Sequence, residues 1–155
     1  MKILLASDHA GFEYKQKLKE FLLEFGYEAH DEGAFSLDEN DDYPDFISMV
    51  AKQVSSDPDN IKGIILGGSG QGEAMTANRY KNVRATVYYG GDKNIITASR
   101  DHNNSNILSL GARFLSLDEA KQAVKDWLQI PFSGDPRHLR RIQKIDNLVV
   151  EENSF

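Results

Sequence analysis

The sequence predicts an α/β protein: a parallel sheet of about five strands, helices on both faces, and a further helix at the C-terminus. Three observations predict it. Short apolar runs alternate with longer stretches of helical periodicity along the 155 residues. The intervals between apolar runs suit βαβ crossovers. The run over residues 2–7 reads as a fully buried strand, as in a sheet covered on both faces.

Taken in order, residues 2–7 form a short apolar run that reads as a fully buried strand. Residues 11–26 have helical spacing, with Phe12, Leu18, Phe21, Leu22 and Phe25 on one face and Gly26 as the stop. Residues 27–31 suit a second strand. Pro44 then fits the first turn of a helix carrying Phe46, Ile47, Val50, Ala51 and Val54. Residues 61–66 form a strand that runs into Gly67-Gly68-Ser69-Gly70-Gln71-Gly72. A helix over about 73–80, a strand over 83–88, a helix over 92–100 and a strand over 106–110 follow. Asp118 and Glu119 favour the start of a helix over 117–128. Residues 136–150 read as the last helix. A single domain over 1–150 and a frayed tail over 151–155 are expected.

Composition narrows the function. The net charge of −6 argues against broad nucleic-acid binding, which needs a basic face. No apolar run approaches the ~18 residues of a membrane span. The apolar start reads as a strand rather than a leader, so a cytoplasmic protein with no membrane partner is expected. With no cysteine, disulfides, thiolate zinc sites and a cysteine nucleophile are excluded. Charge is uneven: acids crowd residues 31–45, whereas 137–141 read Arg-His-Leu-Arg-Arg.

The loop after the third predicted strand is the most informative. Four glycines in six residues let a backbone turn tightly and approach a ligand, and the helix that follows points free N–H groups into it. Such a nest suits an anion, or it is a plain glycine-rich turn. Gly68, Gly70 and Gly72 lack the dinucleotide spacing, and Glu73-Ala74 stands where a P-loop has Lys-Ser/Thr. Glu73 either complements the helix dipole or serves as a base. The dipole pulls its pKa down and burial pushes it up.

Other candidates have two readings as well. Asp8 caps the next helix or joins His9 at a carboxyl-end loop. Asp101-His102-Asn103-Asn104 is a polar turn, or a catalytic segment. By topology that segment lies at the opposite sheet end from the glycines, so a catalytic role calls for an unusual local path or a second subunit. Arg137 and Arg141, at i and i+4, share a face suited to phosphate oxygens or to solvent. The histidines show no metal spacing, and no metal is expected.

Ser7-Asp8-His9-Ala10-Gly11, Asp42-Tyr43-Pro44, the run Gly67 to Glu73, Ala77-Asn78-Arg79, Asp101-His102-Asn103-Asn104, Gly111-Ala112-Arg113 and Arg137-His138-Leu139-Arg140-Arg141 together resemble the type B ribose-5-phosphate isomerase and galactose-6-phosphate isomerase family. The resemblance spans about residues 1–150. It implies a Rossmann-like three-layer sandwich and isomerisation of a phosphorylated sugar through a cis-enediol without metal or cofactor. It implies a homodimer, or a tetramer, with active sites between subunits. Many members of the family place a catalytic cysteine where this chain has Gly67, so the chain resembles the subgroup using a glutamate, here Glu73, as the base.

The resemblance also distributes roles. Glu73 moves the proton between carbons, and backbone groups around Gly68, Gly70 and Gly72 hold the enediolate and substrate. Ser69 bonds the oxygens of the reacting carbons. His102 with Asp8 opens the sugar ring. Tyr43 and Asn103 position hydroxyls, and His9, Arg113, Arg137 and Arg141 hold the phosphate. Ribose 5-phosphate is the expected substrate. The rival readings are the same chemistry on galactose 6-phosphate or allose 6-phosphate, and a non-catalytic module that binds sugar phosphate.

Overall fold

The computed structural model describes residues 1–148. Five strands form one parallel sheet in the order β2-β1-β3-β5-β4: β1 Lys2–Ser7, β2 Glu28–Asp31, β3 Ile61–Gly67, β4 Ala85–Tyr88 and β5 Ile107–Gly111. Six helices accompany them: α1 Phe12–Glu24, α2 Tyr43–Ser56, α3 Gln71–Ala77, α4 Asn94–Asp101, α5 Leu117–Gln129 and α6 Pro136–Asp146. The expected α/β fold class is borne out.

The side-chain period of two splits each strand between two cores. Ile3, Leu5, Ile64, Leu66, Leu108 and Leu110 face Leu18 and Leu22 of α1, Ile96 of α4, and Val124 and Trp127 of α5. Leu4, Ala6, Ile65 and Ile107 face Ile47, Val50 and Val54 of α2, and Ala77 of α3. Helices cover both faces because central parallel strands carry apolar residues on both sides.

The chain reverses direction along the sheet twice. The first reversal lies between β1 and β3. The second arises because β4 takes the edge and β5 returns between it and β3. Ligand sites of open sheets form at such reversals, beyond the carboxyl ends of the strands. Register fixes that end here: Ser7 pairs with Leu66, and Gly67 with Gly111. Three loops therefore leave the sheet side by side.

Some boundaries differ from expectation. A 3-10 turn, His9–Gly11, precedes α1. The third helix begins at Gln71 and ends at Ala77, because Gly70 with φ 77° starts it early. Phe25 is exposed, and α1 buries Lys15 instead. Lys15 is 0% exposed; its Nζ bonds Asp31 Oδ1 at 2.7 Å and also the Ala34 carbonyl. Burial lowers its pKa and the Asp31 hydrogen bond opposes that. Expected helix at residues 149–150 and the tail at 151–155 lie outside the described residues.

Helix α6 attaches at the amino end of the sheet. Arg84, just before β4, bonds both Asp146 oxygens at 2.9 Å. The His138 ring stacks on His102 with centroids 4.4 Å apart. Among the described residues, no helix is long and apolar enough to cross a membrane.

Candidate active site

The glycine loop sits where the three central strands end. Gly70 takes a left-handed φ of 77°, and its carbonyl accepts from the buried Ser109 hydroxyl of β5 at 2.6 Å. The loop is thus tied to the neighbouring strand as well as to its own. A Cβ on Gly70 would approach that hydroxyl to 2.9 Å, so the turn and the close approach both call for glycine.

Glu73 lies in the first turn of α3 and is 4% exposed. Its carboxylate fills the space a side chain at Gly67 would occupy: a Cβ there would overlap both carboxylate oxygens and the carbon between them. The acid therefore reaches back over the last residue of β3. Burial pushes its pKa up; its own backbone N–H opposes this, and nearby Asp8 adds to the rise. Burial is the largest influence, and the net shift is upward. A carboxyl raised toward neutrality is better matched to proton abstraction than an ordinary one.

Around this centre stand groups from three other loops. Arg113 follows β5: its backbone N–H donates to the Gly68 carbonyl at 3.1 Å, and its guanidinium would lie 3.2 Å from a Gly68 Cβ. Tyr43, opening α2, lays its hydroxyl and ring edge 2.6 Å from where a Gly72 Cβ would be. Ser69 Oγ accepts from the Gln71 N–H at 3.3 Å. Asp8 does cap the following turn, its Oδ1 accepting from Ala10 and Gly11 at 2.9 and 3.2 Å. His9 Nδ1 meets Asp41 Oδ1 at 2.7 Å. Asp8, His9 and Asp41 each bring a potential ligand atom within 4.8 Å of the others. Asp8 Oδ1 is engaged in the cap and Asp41 Oδ1 in the pair with His9, so the group reads as a hydrogen-bonded cluster.

The remaining candidates lie elsewhere. His102 and Asn103 follow α4, just before β5 begins, at the amino end of the sheet. The length of β5 separates them from the glycine loop, roughly 15 Å at the rise of a strand. Arg137 and Arg141 are on α6 at that same end. Asp135 caps α6 through the Arg137 N–H at 2.7 Å, which offsets the basic start of the helix. One chain thus brings together Glu73, Ser69, Asp8, His9, Tyr43, Arg113 and the glycines. It does not bring His102, Asn103, Arg137 or Arg141 to them.

Three residues escaped the sequence reading. Asp41 looked like part of a solvated acidic run, yet its side chain is 6% exposed. Ser109 lay inside an apolar strand and carried no motif. His138 was noted only within the basic string; its spacing from His102 gave no sign of the ring stack.

The fold and the loop define a class: an α/β protein with a buried carboxylate beside an anion-suited backbone turn at the carboxyl end of its sheet. The chain belongs to the Ribose/Galactose Isomerase family, which it matches over residues 3–145. It is 40% identical to ribose-5-phosphate isomerase B of Mycolicibacterium paratuberculosis, covering 92% of this chain and 87% of that one. Ribose-5-phosphate isomerase B from Mycoplasma genitalium, solved with bound ribulose-5-phosphate, superposes with a TM-score of 0.89 at 38% identity, covering 94% of this chain and 93% of that chain. The Thermotoga maritima ribose 5-phosphate isomerase gives 0.85 at 42% identity, covering 94% and 97%.

Proposed function

We propose that this chain interconverts ribose 5-phosphate and ribulose 5-phosphate, with Glu73 as the base. The observation that carries the proposal is the Glu73 carboxylate itself: buried, raised in pKa by that burial, and lodged over Gly67 at the mouth of the glycine loop. The family, and the relative solved with ribulose-5-phosphate, support the substrate.

In the aldose-to-ketose direction Glu73 takes the proton from C2, and electrons move toward the C1 carbonyl oxygen. The resulting enediolate is stabilised by backbone N–H groups around Gly70 to Glu73, one such donor being worth ~2.7–4 kcal/mol. Glu73 returns its proton to C1. Ser69 bonds the oxygens on C1 and C2 and relays the proton between them. Tyr43 positions a hydroxyl. His9 and Arg113 take the phosphate from this chain.

The rest of the site comes from a second copy. His102, Asn103, Arg137 and Arg141 lie too far from Glu73 within one chain, and a homodimer brings one copy's amino end to the other's carboxyl end. His102 then opens the sugar ring together with Asp8 of the other copy, and the arginines complete the phosphate grip. The exposed Met75, lining a hollow of about 370 Å³ that Tyr43, Gly72 and Tyr80 also border, offers apolar surface for such pairing. A cytoplasmic location accompanies this reading.

The test is exchange of the C2 hydrogen with solvent, and product formation, on ribose 5-phosphate, galactose 6-phosphate and allose 6-phosphate in parallel. Turnover should be greatest on ribose 5-phosphate. A preference for a hexose phosphate would move the substrate within the family, and binding without exchange on any of them would remove the enzyme reading.

A further inference from the structure

His9 and Asp41 stand 32 residues apart in the chain and meet beyond the end of β1. One carboxylate oxygen, Asp41 Oδ1, accepts from the His9 ring Nδ1 at 2.7 Å and from the His9 backbone N–H at 3.2 Å. It thereby fixes both the path of the chain and the rotation of the ring. It also fixes the tautomer: Nδ1 carries a proton, and Nε2 is the nitrogen left for a ligand. The other oxygen, Oδ2, is buried with no hydrogen-bond partner, in a side chain 6% exposed. A carboxylate so far from water, with one bare oxygen, requires a counter-charge at hydrogen-bond range. The His9 ring is placed to supply it.

We propose that Asp41 is a positioning residue for phosphate recognition: it orients the His9 ring through Nδ1 and supplies the counter-charge that keeps the ring cationic, so that the grip on the sugar's phosphate persists at neutral and mildly alkaline pH. This rests on the phosphate role given to His9 above. It places control of that grip in the acidic loop ahead of α2, outside the segments that carry the family resemblance.

The groups facing His9 come from three elements. Asp8, at the end of β1, and Asp41 favour the charged ring, whereas Arg113, after β5, opposes it. The hydrogen bond to Asp41 is the largest influence, burial works against it, and the net effect raises the His9 pKa above its ordinary value. The cationic form is therefore complete below the ordinary histidine value of ~6.5 and is lost as pH rises through the raised one. Two cationic side chains from this chain, His9 and Arg113, then meet the phosphate end of the substrate. One is permanently charged and the other is charged through Asp41.

The experiment is a nitrogen-resolved NMR titration of His9 in the intact protein, free and with inorganic phosphate as the probe, alongside KM for ribose 5-phosphate from about pH 6 to about pH 8.5. A His9→Gln variant assigns the signal. Wild-type His9 is expected to titrate above ~6.5, with Nδ1 protonated throughout and the midpoint moved further up by phosphate. Asp41→Asn keeps an acceptor oxygen and removes the charge. It should lower the midpoint and raise KM about 3–10-fold near pH 8, with a smaller rise near pH 6.

A structural role alone would raise KM by the same factor at both ends of the range, and that result overturns the proposal. So does wild-type His9 titrating at or below ~6.5, a measurement that decides the matter even if Asp41→Asn does not fold. The titration needs no turnover. Absence of isomerisation would sink the proposed function and leave the His9 result standing, whereas normal turnover with an unshifted His9 removes Asp41 alone.

Discussion

The two ends of the sheet carry equally suggestive residues and are built in opposite ways. At the carboxyl end the glycine loop is filled by its neighbours: the Glu73 carboxylate over Gly67, the Arg113 side chain against Gly68 and the Tyr43 ring against Gly72. Glu73 is 4% exposed there. At the amino end the His102 side chain is 50% exposed, and Arg137 and Arg141 are open to solvent. That end is held by the Arg84–Asp146 pair, the His102–His138 ring stack and the Asp135 cap. Burial raises the Glu73 pKa, which on the proposed function suits the first end to proton transfer within one chain. Exposed cations gain little from surface pairing and keep their donors for an anion. On the proposed function, the difference teaches that the chain finishes the proton-transfer half of its site and only presents the other half.

The largest effect should come from Glu73→Gln, which retains the shape and removes the base. We expect kcat to fall on the order of 10³-fold or more, with ligand affinity largely kept. Stability should move the other way. Folded Glu73 holds its proton more tightly than the unfolded chain does. Its contribution to stability is complete below the unfolded value and is lost as pH rises through the raised one. At neutral pH the buried charge weighs against folding, so the glutamine variant should melt higher. A variant with near-normal turnover removes Glu73 as base. A lower Tm at neutral pH contradicts the burial argument. In the wild type the same sign puts the acid limb of kcat/KM above the ordinary glutamate value of ~4.3.

Next in size is Gly67→Ala. The added methyl lies inside the Glu73 carboxylate. That carboxylate is the free end of a flexible side chain, so it swings aside at modest cost in Tm while kcat drops about 10²-fold from misplacement. Unchanged kcat would show that Glu73 works from another position. Smaller again is Arg137→Ala or Arg141→Ala at the open end. Losing one charge-assisted contact should raise KM about 10-fold with kcat moving less. If KM holds steady across both variants, α6 is not a phosphate grip.

Much of the fold was legible because it rests on periodicity. The apolar runs of β1, β3 and β5 and the helical spacing of α1, α2 and α5 announce a covered parallel sheet. Gly67 to Glu73 was legible as a candidate site because four glycines between a strand and a helix suit a tight turn that approaches a ligand. The opposite placement of His102 was legible too, from strand direction alone. Buried charge was not. Lys15 reads as one more lysine on an amphipathic helix until Asp31 and Ala34 close over it. Asp41 reads as one acid among many, because only the loop's path back to His9 distinguishes it. The insertion of β5 between β3 and β4 left no mark either, since local patterns do not encode which neighbour a strand pairs with.

The contrast between a finished and a presented half-site is tested most directly by mixing two inactive variants, Glu73→Gln and His102→Ala, under conditions that exchange subunits. Each mixed dimer then holds one site with both changes and one with neither. Random reassociation should restore roughly a quarter of wild-type turnover. Mixed dimers that form and stay inactive would show that Glu73 and His102 of the same chain serve the same site, contrary to the geometry described here.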